Sequence, residues 1–298
     1  MFKDRDVVCF LGDSITAADL WTAEVYQELK KKYKINCYNC GVSGGRARRA
    51  AKYLHSKCLI HNPDYVVVCF GINDIDRQCY ADRTNPENIQ QIEKSLDDYK
   101  NAIDSIVNDV IASGAQPVLC IPSPYDEVSD VEAENLNCQC GLDEVEKIVR
   151  SAAEKYGCPL VDFKKEMQPL LGKCDIIRPD RVHPTEEGNH IMAQTFLRDI
   201  GEQETCDFDT PFEFEEWNKK RTEAYWKTHR INFVEYCALF DECYDKDLTL
   251  EEKKEIAKKC LDEYEDKTAY IPSAFADYIE NADKYDKLLG EVVKLTTF

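Results

Sequence analysis

The chain has 298 residues, enough for one large domain or a domain with an appendage, and its formal net charge of −19 sets it against polyanions. Binding to a phosphate backbone or to anionic headgroups relies on clustered Lys and Arg, so neither nucleic acid nor a membrane is an expected partner. No apolar run approaches the roughly eighteen residues needed to cross a bilayer. The short run 7–11 behind Lys3 and Arg5 leads directly into catalytic-looking residues, which does not fit a cleaved leader, and a soluble, cytoplasmic protein is expected.

Fifteen cysteines are an odd set, scattered through apolar runs such as 7–10 and 67–70, where a thiol behaves as a small hydrophobe. A disulfide framework is disfavoured. Cys37 and Cys40 have zinc-site spacing and, with Cys138 and Cys140, offer a four-thiolate set. The competing reading places the first pair at a strand end and the second in a polar loop.

In chain order, short β-branched runs alternate with helical stretches up to about residue 204, the signature of a parallel sheet covered by helices. Strands are predicted at 7–11, 35–39, 65–70, 117–121 and 159–162, each apolar enough to be buried on both faces. Helices are predicted near 18–33, 46–59, 87–113, 141–157 and 185–200, with Pro86 at a first helical position. The fold class is therefore α/β, a five-stranded doubly wound domain over 1–204. Beyond it, residues 205–298 read as a helical extension over 211–243, 249–265 and 273–290. Its aromatics, Phe214, Trp217, Tyr225 and Trp226 among them, suit packing better than carbohydrate stacking. The same helices are the candidate surface for a homo-oligomer.

Ligands in such sheets sit at the carboxyl ends of the strands, so the residues just beyond each strand are where chemistry is expected. The first strand runs into Gly12, Asp13 and Ser14, which puts a serine hydroxyl and its own amide at a strand-to-helix turn; an isolated Ser there serves equally as a helix cap. The second runs into a glycine-rich turn in which Gly44 can present its amide to an oxyanion. The third runs into Asn73, a side-chain amide donor, and Asp74, suited to bracing its loop through backbone hydrogen bonds. After the fifth come Asp180 and His183, three residues apart on one loop, so that the carboxylate can hold the imidazole tautomer. Of the five histidines, His55, His61, His190 and His229 have no such aspartate behind a strand.

Together Gly12-Asp13-Ser14-Ile15-Thr16, the run from Asn39 to Gly44, Gly71-Ile72-Asn73-Asp74 and Asp180-Arg181-Val182-His183-Pro184 resemble, in order and spacing, the four blocks of the SGNH/GDSL hydrolase superfamily. The resemblance spans about residues 5–200. It implies a three-layer flavodoxin-like fold and a Ser14, Asp180, His183 triad. It also implies an oxyanion hole from the Ser14 and Gly44 amides and the Asn73 side chain. No metal or other cofactor is expected.

The implied activity is hydrolysis of esters through an acyl-enzyme, with short acyl groups on carbohydrate favoured over lipid because no segment looks like a lipase lid. The long polar loop from Pro122 to about Cys140 suits either pocket lining or plain surface. A thioesterase or lysophospholipase of the same fold, a binding or assembly protein working through the tail, and a metal-dependent phosphoesterase on Asp13, Asp74 and His183 are the alternatives.

Overall fold

The computed structural model describes residues 1–129 and 135–209. The elements, in order, are β1 (Val7–Gly12), α1 (Ser14–Ala17), α2 (Trp21–Lys32), β2 (Asn36–Asn39), α3 (Ala47–Lys57), β3 (Tyr65–Cys69), α4 (Pro86–Ala112), β4 (Gln116–Ile121), α5 (Cys138–Tyr156), β5 (Leu160–Asp162), α6 (Phe163–Met167) and α7 (Glu186–Asp199). All five strands pair in parallel in the order β2-β1-β3-β4-β5. The three central strands, β1, β3 and β4, are buried over most of their length, as a sheet covered on both faces requires.

The order reverses at β1, whose chain steps outward to β2 and then returns past itself to β3. Right-handed crossovers in opposite directions put their helices on opposite faces. Accordingly α2 packs against α7, while α3 packs against α4 and α4 against α5. Under the first pair Trp21 is fully buried, with Phe10, Phe163 and Phe196 at centroid separations of 5.3 to 5.7 Å. Such tilted and edge-on pairs add about 0.5–1.5 kcal/mol each beyond the area they bury. The crevice between β1 and β3, where the winding changes direction, is where this topology leaves room for a ligand.

One expectation needs correction. Cys138 and Cys140 do not lie in a polar loop: they form the first turn of α5, with Cys138 buried and its sulfur donating to the carbonyl of Arg77. Nor do the two cysteine pairs gather around one point. Among the described residues the thiols that converge are Cys9, Cys40 and Cys58, while Cys37 belongs to β2. The helices predicted over 211–243, 249–265 and 273–290, with their aromatics, lie outside the described residues. No described helix is long and apolar enough to cross a membrane.

Candidate active site

The carboxyl ends of β1, β2 and β3 deliver three loops to one edge. At the first, Asp13 caps α1, its carboxylate accepting the Ile15 amide at 2.9 Å, which leaves Ser14 as the first helical residue. Gly12 is required there: a Cβ would stand 2.1 Å from Thr16 Oγ1 and 2.9 Å from the Cys69 carbonyl. The second loop is pinned to the first where the Val42 amide donates to the Gly12 carbonyl at 2.9 Å. Within it Gly44 takes a left-handed φ of +70°, and a Cβ there would meet nothing within 4 Å, so open space lies over its backbone.

The third loop carries Asn73 and Asp74. The Asn73 side-chain amide donates to the Gly45 carbonyl at 3.2 Å, tying this loop to the Gly44 turn. Asp74 accepts the Ala47 amide at 2.7 Å on one oxygen, bracing the loop as anticipated. Its other oxygen is buried with no hydrogen-bond partner, and burial pushes this carboxyl up to about 7. Burial likewise pushes Asp13 up to about 6, against the pull of the Ile15 amide and the His183 charge. In neutral solution Asp74 is thus about half protonated, while Asp13 stays mostly ionised.

His183 arrives from the other side of the crevice. Its loop is folded back by a bridge between Ile177 and Pro184 and by the Arg178 amide donating to the His183 carbonyl at 2.8 Å. Asp180 Oδ1 accepts the amides of Val182 and His183, both at 2.9 Å, which orients the carboxylate. Its Oδ2 then lies 2.7 Å from His183 Nδ1, and His183 Nε2 lies 2.8 Å from Ser14 Oγ. Desolvation raises the Asp180 carboxyl, but the two backbone donors and the imidazole outweigh it and hold Asp180 below the usual carboxylate range.

Every residue singled out in the four motifs is therefore at this edge. Ser14, His183 and Asp180 stand in hydrogen-bonded series, and Gly44 and Asn73 belong to the two adjoining, cross-linked loops.

Arg181 went unremarked. It sits between Asp180 and Val182 with a φ of +66°, buried, its guanidinium donating to the carbonyls of Asp126 at 2.7 Å and Ser129 at 3.3 Å. The Asp126 amide returns a bond to the Arg181 carbonyl at 3.0 Å. A non-glycine residue that adopts this conformation is held there by its partners, a signal only three-dimensional contacts provide. His190 and His61 lie elsewhere: His190 is on α7 against Glu24, and His61 stacks on Tyr38.

A hydroxyl and an imidazole in contact at the switch point of a doubly wound parallel sheet suit acyl-transfer chemistry. The chain belongs to the GDSL-like lipase/acylhydrolase family, whose model matches residues 8–196. It is 27% identical over 179 residues to an acetylxylan esterase of Geobacillus stearothermophilus, covering 59% of this chain and 75% of that one. A solved structure of an acetylxylan esterase from that organism superposes with a TM-score of 0.55 at 23% identity, over 68% of this chain and 97% of that one. In that esterase, alanine variants of a serine, an aspartate and a histidine are described as catalytic mutants. A gut microbial diltiazem-metabolizing enzyme superposes with a TM-score of 0.60 at 22% identity, over 67% of this chain; the chain spans 48% of that enzyme's length.

Proposed function

We propose that this enzyme removes short acyl groups, chiefly acetyl, from acetylated carbohydrate, with Ser14 as nucleophile, His183 as general base and acid, and Asp180 as the residue that fixes the imidazole. The observation that carries this reading is the uninterrupted relay of 2.8 Å from Ser14 Oγ to His183 Nε2 and 2.7 Å from His183 Nδ1 to Asp180. With Nδ1–H donated to the carboxylate, Nε2 is left as an acceptor facing the hydroxyl. As Ser14 Oγ attacks the ester carbonyl, its proton passes to Nε2 and the carbonyl oxygen becomes an oxyanion.

The amides of Ser14 and Gly44 and the side chain of Asn73 receive that charge, a role usually worth about a hundred- to a thousandfold in rate per donor. Collapse expels the sugar hydroxylate, which takes the proton from Nε2 and leaves acyl-Ser14. Water, deprotonated by the same nitrogen, attacks the acyl-enzyme and frees the acid.

The acetyl preference is supported by the acetylxylan esterase relative. The division into a catalytic domain over 1–204 and a helical extension over 205–298 belongs to the same reading. So do the small-molecule partner and a cytoplasmic location: a net charge of −19 keeps the surface away from polyanions.

Hydrolysis of p-nitrophenyl acetate and p-nitrophenyl octanoate by wild type and Ser14→Ala, followed by acetylated xylo-oligosaccharides, tests it. The expected outcome is activity on acetate and on the oligosaccharide, lower by at least about a thousandfold in Ser14→Ala. A preference for octanoate would move the reading to lipid or thioester substrates. Full activity in Ser14→Ala would end it.

A further inference from the structure

Between the sheet and α3, well inside the core, three thiols from three elements meet. Cys9 comes from β1, Cys40 directly follows β2, and Cys58 closes the end of α3. Their sulfurs all lie within 4.8 Å of one another, and all three residues are fully shielded from solvent. The Cys40 thiol donates to the Lys57 carbonyl at 2.9 Å and the Cys9 thiol to the Cys58 carbonyl at 3.6 Å. A single buried cysteine is an ordinary small hydrophobe. Three facing sulfurs are also a ligand set.

The surroundings are not wholly apolar. Lys57, at the end of α3 next to Cys58, is wholly buried beside the cluster.

We infer that Cys9, Cys40 and Cys58 form a three-thiolate site for a soft monovalent cation, Cu(I) being the ion its donors fit. Thiolate sulfur selects soft ions. Structural zinc takes four ligands, or three with a water in the open position, and here the sulfurs have no contact with solvent to provide one. A three-coordinate ion needs nothing more than the three sulfurs. Binding exchanges three thiol protons for one ion and forms three metal–sulfur bonds with no change of oxidation state. The resulting assembly carries two negative charges, which the buried Lys57 offsets in part.

The site lies apart from the hydrolytic centre but is joined to it through the chain. Gly41 follows Cys40 and opens the turn that carries Gly44, so a bound ion would fasten β1, β2 and α3 together at the root of that turn.

The full-length protein, reduced and kept under anaerobic conditions, is titrated with Cu(I) supplied as its bicinchoninate complex. Cys9→Ser and Cys58→Ser are the test variants; Cys37→Ala and the exposed Cys174→Ala are controls for thiol number. Wild type and both controls are expected to withdraw one tightly held ion per chain, to show three sulfur neighbours by X-ray absorption and to unfold at higher temperature when loaded. Both serine variants are expected to lose the ion and the thermal shift together, while circular dichroism without copper confirms that they fold. Should one of them not fold, the other decides. Equal uptake by wild type and a folded serine variant, a two-sulfur absorption spectrum, or no uptake would each overturn the assignment.

Discussion

In the proposed mechanism Asn73 divides its side-chain amide between two tasks. One N–H is held by the Gly45 carbonyl at 3.2 Å, which fixes the side chain relative to the Gly44 turn, and the other is free to meet an oxyanion. Because the first bond is already made in the resting enzyme, little ordering remains to be done when charge develops. Asn73→Ala should therefore lower kcat for p-nitrophenyl acetate by about a hundred- to a thousandfold with little change in KM. Steady-state kinetics decides it: a change confined to KM would make Asn73 a ground-state binding residue. Asp74, its neighbour, makes no such division. One of its oxygens braces α3 through Ala47 and the other is buried alone, so its work is to hold the loop and not to touch substrate.

At the scale of elements, much of the architecture was legible because the residues that make it act locally. Five apolar runs bounded by polar turns became the five strands within a residue or so of their predicted ends, and Pro86 is the first residue of α4, with the Asn85 side chain capping Glu87 at 2.9 Å. The first turn of α5 was not legible. Asn137 precedes it in a left-handed conformation with no capping bond from its side chain, and Cys138-Gln139-Cys140-Gly141 carries none of the usual start signals. What fixes that turn is burial of Cys138 and Leu142 against distant chain. The five residues of α6 are likewise too few for a helical period to register.

Among site residues, Ser14, Gly44, Asn73, Asp180 and His183 stood out because each follows a strand or lies on the final loop. Arg181 did not, because its partners are some fifty residues away. It latches the loop after β4 to the loop that carries Asp180 and His183, and its left-handed backbone costs about 1–2 kcal/mol that glycine would not incur. Arg181→Gly is thus expected to unfold at higher urea concentration than Arg181→Ala, with both below wild type and both impaired in kcat/KM. If the alanine variant is as stable as the glycine variant, the backbone strain is relieved some other way.

Across the whole molecule, the two helices that cover one face of the sheet are joined by more than apolar contact. Glu24 of α2 and His190 of α7 are both buried, their side chains meeting at 2.8 and 2.9 Å, and Gln194 donates to the same carboxylate at 2.8 Å. The hydrogen bond to Glu24 is the main reason His190 is raised above its ordinary 6.5, and it outweighs the opposing effect of desolvation. A histidine whose folded pKa lies above its unfolded one binds its proton more tightly in the native state. Its stabilisation is therefore complete below about pH 6.5, declines as pH rises through the higher folded value, and is absent above it. His190→Gln can still donate one hydrogen bond to Glu24 but cannot carry the charge. Urea unfolding at a series of pH values should show this variant clearly less stable than wild type near pH 5.5, with the gap narrowing steadily toward pH 9. A gap of constant size across that range would mean that His190 joins α2 to α7 by shape alone and that its charge contributes nothing to holding the face together.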